Sequence, residues 1–280
     1  MQGKWRKHIV FFLLLGASMV CAQPHYISVG LRGGAGTFLA KGDVKTSWQP
    51  NAWVDANYSY LWQVKDYQLG ITTGLDFGYL SGAYSASHTD QFTNIDYLGQ
   101  TIVYTNTVGS IYEHTQGFAM EIPALFALHY KGLIFHVGLK LQVPLWYQYR
   151  QTMRDLSISA YYADYDVPVQ NELVTGELPQ DEFVQTGKRD VADVSLLLST
   201  DIGYEWQVAD RDWIALQAWF DGSPYGHTAG NATQRIIDVA PITTTPPAQV
   251  TVNTAVGSLT SRLNYLACGI RLAYRFSVPH

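Results

Sequence analysis

The sequence predicts an all-β fold, an eight-stranded antiparallel up-and-down barrel that crosses a membrane. Three observations predict it. Eight segments alternate apolar and polar residues with period two, short and long connections alternate between them, and the polar positions are rich in glycine and charge.

Strand one, Tyr26 to Leu39, sets Ile27, Val29 and Leu31 against Ser28, Gly30 and Arg32. Strand two sets Ala52, Val54, Ala56, Tyr58, Tyr60 and Trp62 against Asp55, Asn57 and Ser59. After the short link Gln63-Val64-Lys65-Asp66, strand three sets Leu69, Ile71, Leu75, Phe77 and Tyr79 against Gly70, Gly74, Asp76 and Gly78. Strands four and five form the clearest hairpin. Phe118 to Tyr130 and Leu133 to Tyr147 each place hydrocarbon at every second residue, with Lys131-Gly132 between them. Glu121, His129, His136, Lys140 and Gln142 fall on the other face. Both strands exceed the roughly ten residues that a tilted strand needs to cross a bilayer. Pro123 and Pro144 each remove a ladder donor, so a local bulge is expected at each.

Strand six sets Val194, Leu196, Leu198, Ile202, Tyr204 and Trp206 against Ser195, Asp201, Gly203 and Glu205. A short turn, Val208 to Asp212, leads to strand seven, where Ile214, Leu216, Ala218 and Phe220 oppose Gln217, Trp219 and Asp221 with the weakest contrast of the eight. Strand eight sets Leu266, Cys268, Ile270, Leu272, Tyr274 and Phe276 against Tyr265, Gly269, Arg271 and Arg275. Short connections follow strands two, four and six. Three long segments, Ser81 to Gln116, Gln151 to Asp190 and Gly222 to Ser258, are expected as external loops, with Tyr161, Tyr162 and Val167-Pro168-Val169 indicating partial order as strands above the membrane. Strands two, four, six and eight should then end in a periplasmic aromatic girdle formed by Trp62, Tyr130, Trp206, Tyr274 and Phe276.

Volume assigns the faces. An eight-stranded barrel has an interior just wide enough to be filled by side chains, so the bulky apolar set must look outward and the glycine-rich set inward. The inward set carries Arg32, Asp55, Asp76, Glu121, Lys140, Asp201, Glu205, Arg271 and Arg275, which are expected to pair as a polar network filling the barrel. Turned toward lipid they would cost roughly 2–4 kcal/mol for each basic residue near the midplane, on the order of 20 kcal/mol together, beyond typical folding stability.

The chain opens with Lys4, Arg6 and Lys7, an apolar run from Ile9 to Leu15, and small residues up to Ala22, the layout of a secretory signal peptide cleaved after residue 22. Residues 23–280 then form a single barrel domain, with Cys268 as its lone thiol. The net charge of −5 includes those three signal cations, so the mature chain is nearer −8, which argues against a nucleic-acid partner. Export without an apolar helix leaves a secreted soluble protein or a barrel in an outer membrane, and the segregated loop lengths favour the barrel, set among the lipid and lipopolysaccharide expected of a Gram-negative outer membrane.

The signal ending in Ala-Gln, the eight alternating segments and the stretch Phe118-Ala119-Met120-Glu121-Ile122-Pro123-Ala124-Leu125 with its glycine-containing partner strand resemble the outer-membrane protein beta-barrel domain family of Gram-negative bacteria. The likeness covers the mature chain in layout, and the Glu-Ile-Pro segment is its motif-like part. It implies a small outer-membrane barrel delivered by the insertion machinery, mostly without assigned activity. A terminal aromatic often serves as the insertion signal, and here Ser277-Val278-Pro279-His280 follow Phe276.

His88, Asp90, Asp96, Glu113, His114 and His227 in the long segments raise the alternative of an outer-membrane hydrolase of lipid or peptide. No serine nucleophile motif accompanies them and no paired metal-ligand spacing is present, so no catalytic, metal or cofactor site is assigned. Asp155, Asp164, Asp166, Glu172, Glu177, Asp181, Glu182 and Asp190 make the second long segment acidic, a solvated loop kept away from anionic lipopolysaccharide or a collector of divalent cations. The expected role is surface structure, adhesion or binding of a protein or glycan at the external segments, with a narrow, porin-like pore as a further alternative.

Overall fold

The computed structural model describes residues 25–40, 44–96, 98–169, 182–188, 194–224, 227–228, 235–239, 250–259 and 262–278. The expected signal peptide lies outside them, as do Glu172, Glu177, Asp181 and Asp190. Eight long strands dominate: β1 (His25–Ala40), β2 (Gln49–Val64), β3 (Tyr67–Ile95), β4 (Thr101–Tyr130), β5 (Leu133–Tyr162), β6 (Ser195–Ala209), β7 (Asp212–Gly222) and β8 (Arg262–Val278). Each pairs antiparallel with the next, and β8 returns to pair with β1, so the sheet closes into a barrel without an open edge.

Tight turns at Lys65-Asp66, Lys131-Gly132 and Asp210-Arg211 join β2 to β3, β4 to β5 and β6 to β7 at one end of the barrel. Lys65 (φ 57°), Lys131 (φ 48°) and Gly132 (φ 87°) adopt the left-handed conformation that lets a two-residue hairpin follow the strand twist. Around the outside runs a belt in which Leu31 is 63% exposed and Ile202 60%. Hydrocarbon displayed on every strand of a closed ring belongs in acyl chains, and the alternate positions are buried inside, making this a transmembrane barrel. The short strand β7 is regular apart from one register shift at Asp212/Trp213.

The first long segment departs from the loop expectation, and in the second the expected strand order is present, with Tyr161 and Tyr162 in β5 and Val167–Val169 pairing back onto them. β3, β4 and β5 run for 29, 30 and 30 residues, about three times what crosses a bilayer, and rise beyond the belt as a continuous sheet. At its tip Asp96 accepts the backbone N–H groups of Leu98 and Gln100, both at 2.8 Å. A further strand, Glu182–Lys188, pairs with β5. Within β4 an extra residue at Gly109-Ser110 opposes Ser87 alone, and beside it Asp155 in β5 takes a φ of 55°. The bulge reverses which alternate residues face inward. Above it Ile102, Tyr104, Val108, Leu156 and Ile158 form an inner core with Phe92, closed over by the hairpin Ile237–Val239/Val250–Val252.

Pro144 and Pro123 behave differently. At Pro144 the ladder slips, with Ala119 paired to Pro144 and Phe118 to Trp146, leaving Leu145 as the extra residue. Tyr147, read from the sequence as outward, therefore turns inward and is buried. No bulge forms at Pro123: its pairing with Lys140 is continuous, and the register on the β3 side is the same before and after the gap between Thr73↔Ala124 and Asp76↔Glu121. The missing donor is tolerated by omitting ladder contacts rather than by adding a residue.

The interior is also less purely polar than the volume argument expected. Trp53, Trp219, Tyr147, Tyr265, Phe38 and Tyr84 cluster inside, toward the external end. Glycine makes the room: a Cβ on Gly78 would stand 2.2 Å from the Trp53 ring.

Candidate functional site

The inward parity of six strands converges on a charged hub near the middle of the barrel. Arg32 of β1 donates to Asp76 of β3 at 2.8 Å, Glu121 of β4 at 2.9 Å and Asp221 of β7 at 3.1 Å. Its guanidinium lies between the rings of Trp53 and Trp219, 5.1 and 5.2 Å from their centroids. Lys140 of β5 donates to the same Asp221 oxygen at 3.0 Å, and Gln142 donates to Glu121 at 2.9 Å. One arginine thus braces three strands at sequence separations of 44, 89 and 189 residues. Such pairs specify one register because any slip leaves a charge buried without a partner.

Arg271 of β8 grips Asp55 of β2 through two nitrogens and reaches Gln217 and Ser28. Toward the tight turns, Arg275 donates to Glu205 at 2.9 Å and stacks over Tyr26 and Trp213. Glu205 lies 3.1 Å from His129 Nδ1, His129 Nε2 lies 3.3 Å from His136 Nε2, and His136 Nδ1 lies 3.6 Å from Asp201. All nine charged residues singled out in the sequence are inside, and they fall into three connected groups rather than one continuous network.

Asp221, His129 and His136, placed by the sequence on the polar face, were left out of the expected network. Asp221 sits on the polar parity of strand seven, where the contrast is weakest. His129 and His136 alternate with their apolar neighbours as regularly as Glu121 and Lys140 do, so parity alone could have included them.

The described part of the third long segment packs into the external end. Its helix α1 (Ala255–Leu259) lays Val256 into the aromatic cluster. Buried Glu113 accepts the N–H of Val256 at 3.2 Å and Gln151 that of Ala255 at 2.6 Å, satisfying helix-terminal donors that would otherwise be orphaned. At the other mouth, Tyr26, His129, Glu205, Trp213 and Arg275 border a cavity of about 200 Å³.

The residues considered for hydrolysis do not converge. His88 and Asp90 share the inner parity of Phe92, with Asp90 3.8 Å from Arg235. His114 points to the outer face, Asp96 caps the tip, Glu113 seats α1, and the side chain of His227 lies outside the described residues. Two acids of the acidic segment likewise serve local order: Asp164 accepts the Thr101 N–H at 3.2 Å and Asp166 the Tyr161 hydroxyl at 2.6 Å. Among the described residues no group of three or more His, Cys, Asp or Glu side chains could hold a metal ion.

The girdle aromatics gather at the end with the tight turns. Tyr67 stacks on Tyr130 at 4.6 Å between ring centroids, while Trp62, Trp206 and Phe276 contact Tyr60, Tyr204 and Tyr274. A second aromatic cluster marks the external edge on β3, β4 and β5, where Phe118 stacks with Phe77 at 5.9 Å and Trp146 at 6.2 Å.

No family model matches the chain, and neither does any curated protein. Among solved structures it is similar to Neisserial surface protein A (NspA), at 7% identity over 90% of this chain and 96% of that one, with a TM-score of 0.30. It is also similar to Ail, the attachment invasion locus protein of Yersinia pestis, at 8% identity over 91% and 100% (TM-score 0.30), and to the outer membrane protease OmpT from Escherichia coli, at 7% over 92% and 98% (TM-score 0.28). At such values no residue role passes from them to this chain.

Proposed function

We propose that this chain is an integral outer-membrane protein for surface display, whose barrel anchors an external sheet that meets a protein or glycan partner. Its route would be export through a cleaved signal peptide, residues 1–22, and assembly by the outer-membrane insertion machinery. One observation carries the proposal. The outer face of the raised sheet is a grid of uncharged hydroxyl and amide groups, with Thr89, Thr107 and Ser157 abreast and Gln91, Thr105 and Ser159 in the next rank. Ranks on one face of a strand repeat about every 7 Å and neighbouring strands about every 5 Å. Hydroxyls both donate and accept, and carry no charge to desolvate, which suits a polyhydroxylated or polar peptide ligand. A buried inner core packs beneath the grid, so little ordering is needed on binding.

The pore and hydrolase alternatives have less support: α1 and the aromatic cluster occupy the external mouth, and His88 and His114 lie on opposite faces of the sheet. The test is binding of the barrel in lipid vesicles to arrays of glycans and extracellular-matrix proteins. Binding to a discrete set, lost on Thr105→Lys with Ser159→Lys, is expected. Conductance steps in a planar bilayer, or a surface hydrolase activity abolished by His88→Ala with His114→Ala, would replace this reading.

A further inference from the structure

Just above the external aromatic cluster, the outer face of β4, β5 and the strand Glu182–Lys188 forms a groove of about 560 Å³. Its ranks are set by register. His114, Arg150 and Thr186 stand abreast, and Gln116, Gln148 and Lys188 form the rank below. Beneath them come Phe118 and Trp146. Among the described residues neither Arg150 nor Lys188 has an ion-pair partner, whereas Arg154, four residues farther out, is 3.6 Å from Glu182. Strand rise places Lys188 about 7 Å and Arg150 about 13 Å beyond the Trp146 level. Interfacial aromatics sit at headgroup depth. The two open cations therefore stand where the phosphorylated sugars of an outer leaflet lie.

We infer that this groove, at the junction of the apolar belt and the external sheet, binds the phosphate of an outer-leaflet glycolipid such as lipopolysaccharide. This deepens the proposed function and rests on its placement of the belt in an outer membrane. Arg150 supplies a fork for two phosphate oxygens and Lys188 a point charge, while Gln116, Gln148 and Thr186 offer hydrogen bonds to sugar hydroxyls. The acyl chains of the same molecule would lie on Phe118 and Trp146. Continuity between the cations and the hydrocarbon below them favours a lipid over a soluble anion.

The test uses the full barrel folded in detergent micelles and titrated with lipid A-type glycolipid, with the same glycolipid after enzymatic dephosphorylation, and with inorganic phosphate. Bound lipid is counted by native mass spectrometry. Arg150→Ala with Lys188→Ala is expected to weaken binding about tenfold or more, as is dephosphorylation, the scale of a lost charge-assisted pair, while Arg154→Ala changes it less than about twofold. Folding of each variant is verified by its heat-modifiable mobility on gels. Equal binding by the double variant, or by dephosphorylated glycolipid, would overturn the site, and displacement by millimolar inorganic phosphate would make it a simple anion site. If instead the unmodified barrel fails to enter lipid vesicles, the membrane placement itself falls, a separate result.

Discussion

Replacing Arg32 with methionine tests the hub most directly. The substitution keeps an unbranched apolar side chain but, being shorter than arginine, removes both the guanidinium stacked on Trp53 and Trp219 and the partner of Asp76, Glu121 and Asp221 at 2.8, 2.9 and 3.1 Å. Lys140 would remain as the hub's cation, 3.0 Å from Asp221 but 3.7 Å from Glu121 and 3.9 Å from Asp76. Removing one member of a buried ion pair costs about 3–5 kcal/mol, because the other is left charged and desolvated. That corresponds to roughly a hundred- to several-thousand-fold shift toward the unfolded state. Adding Asp76→Asn to Arg32→Met should recover about 1–3 kcal/mol, the coupling expected of neighbours that share a network. Urea unfolding in phospholipid vesicles, followed by tryptophan fluorescence and by heat-modifiable mobility, measures both. A midpoint for Arg32→Met equivalent to less than about 0.5 kcal/mol of loss, the range of an ordinary surface substitution, would refute the hub as the brace of the barrel.

Three further outcomes are expected. Leu139→Arg places a cation on the outward belt at a cost of about 2–4 kcal/mol and should block vesicle assembly, whereas Gln142→Arg faces Glu121 and should assemble better; equal yields would count against the face assignment. At the closing seam, a Cβ on Gly269 would stand 2.1 Å from the Gly33 carbonyl oxygen, so Gly269→Val should lower the heat-modifiable fraction while Gly33→Val, whose Cβ meets nothing within 4 Å, should not. Val256→Asp puts a carboxylate into the aromatic cluster and should unseat α1, raising single-channel conductance in planar bilayers; a conductance already as large without the substitution would show that α1 does not close the mouth.

The barrel was legible because a membrane-spanning strand has only one way to satisfy lipid outside and a narrow lumen inside. Glu121, Lys140 and Arg271 declare their face by position alone, and the strand count and tight turns follow from the same pattern. The raised sheet was hidden for two reasons. Above the belt water replaces lipid, so the outer residues become Thr105 and Ser159 while Tyr104 and Ile158 go inside, reversing the chemistry of the faces. The extra residue at Gly109-Ser110 also breaks the parity, so no single alternation spans β4. The buried partners of α1 were obscure for another reason: Glu113 accepts a backbone N–H 143 residues away, a contact no local pattern encodes. Asp221 was within reach, since it shares parity with Gln217, yet Trp219 between them blurred the inward face.

The slip at Pro144-Leu145, level with the external aromatics, also acts as a draught mark: below it Leu139 and Leu141 face outward, and above it Tyr147 and Met153 are inside. Below it the protein wears its oil on the hull, and above it the oil is stowed within, so neither sinking nor lifting by a single rank is free of cost. Immersion is thereby written into covalent structure rather than left to the surrounding bilayer, and in a membrane of different thickness it is the lipid that must deform to meet the waterline.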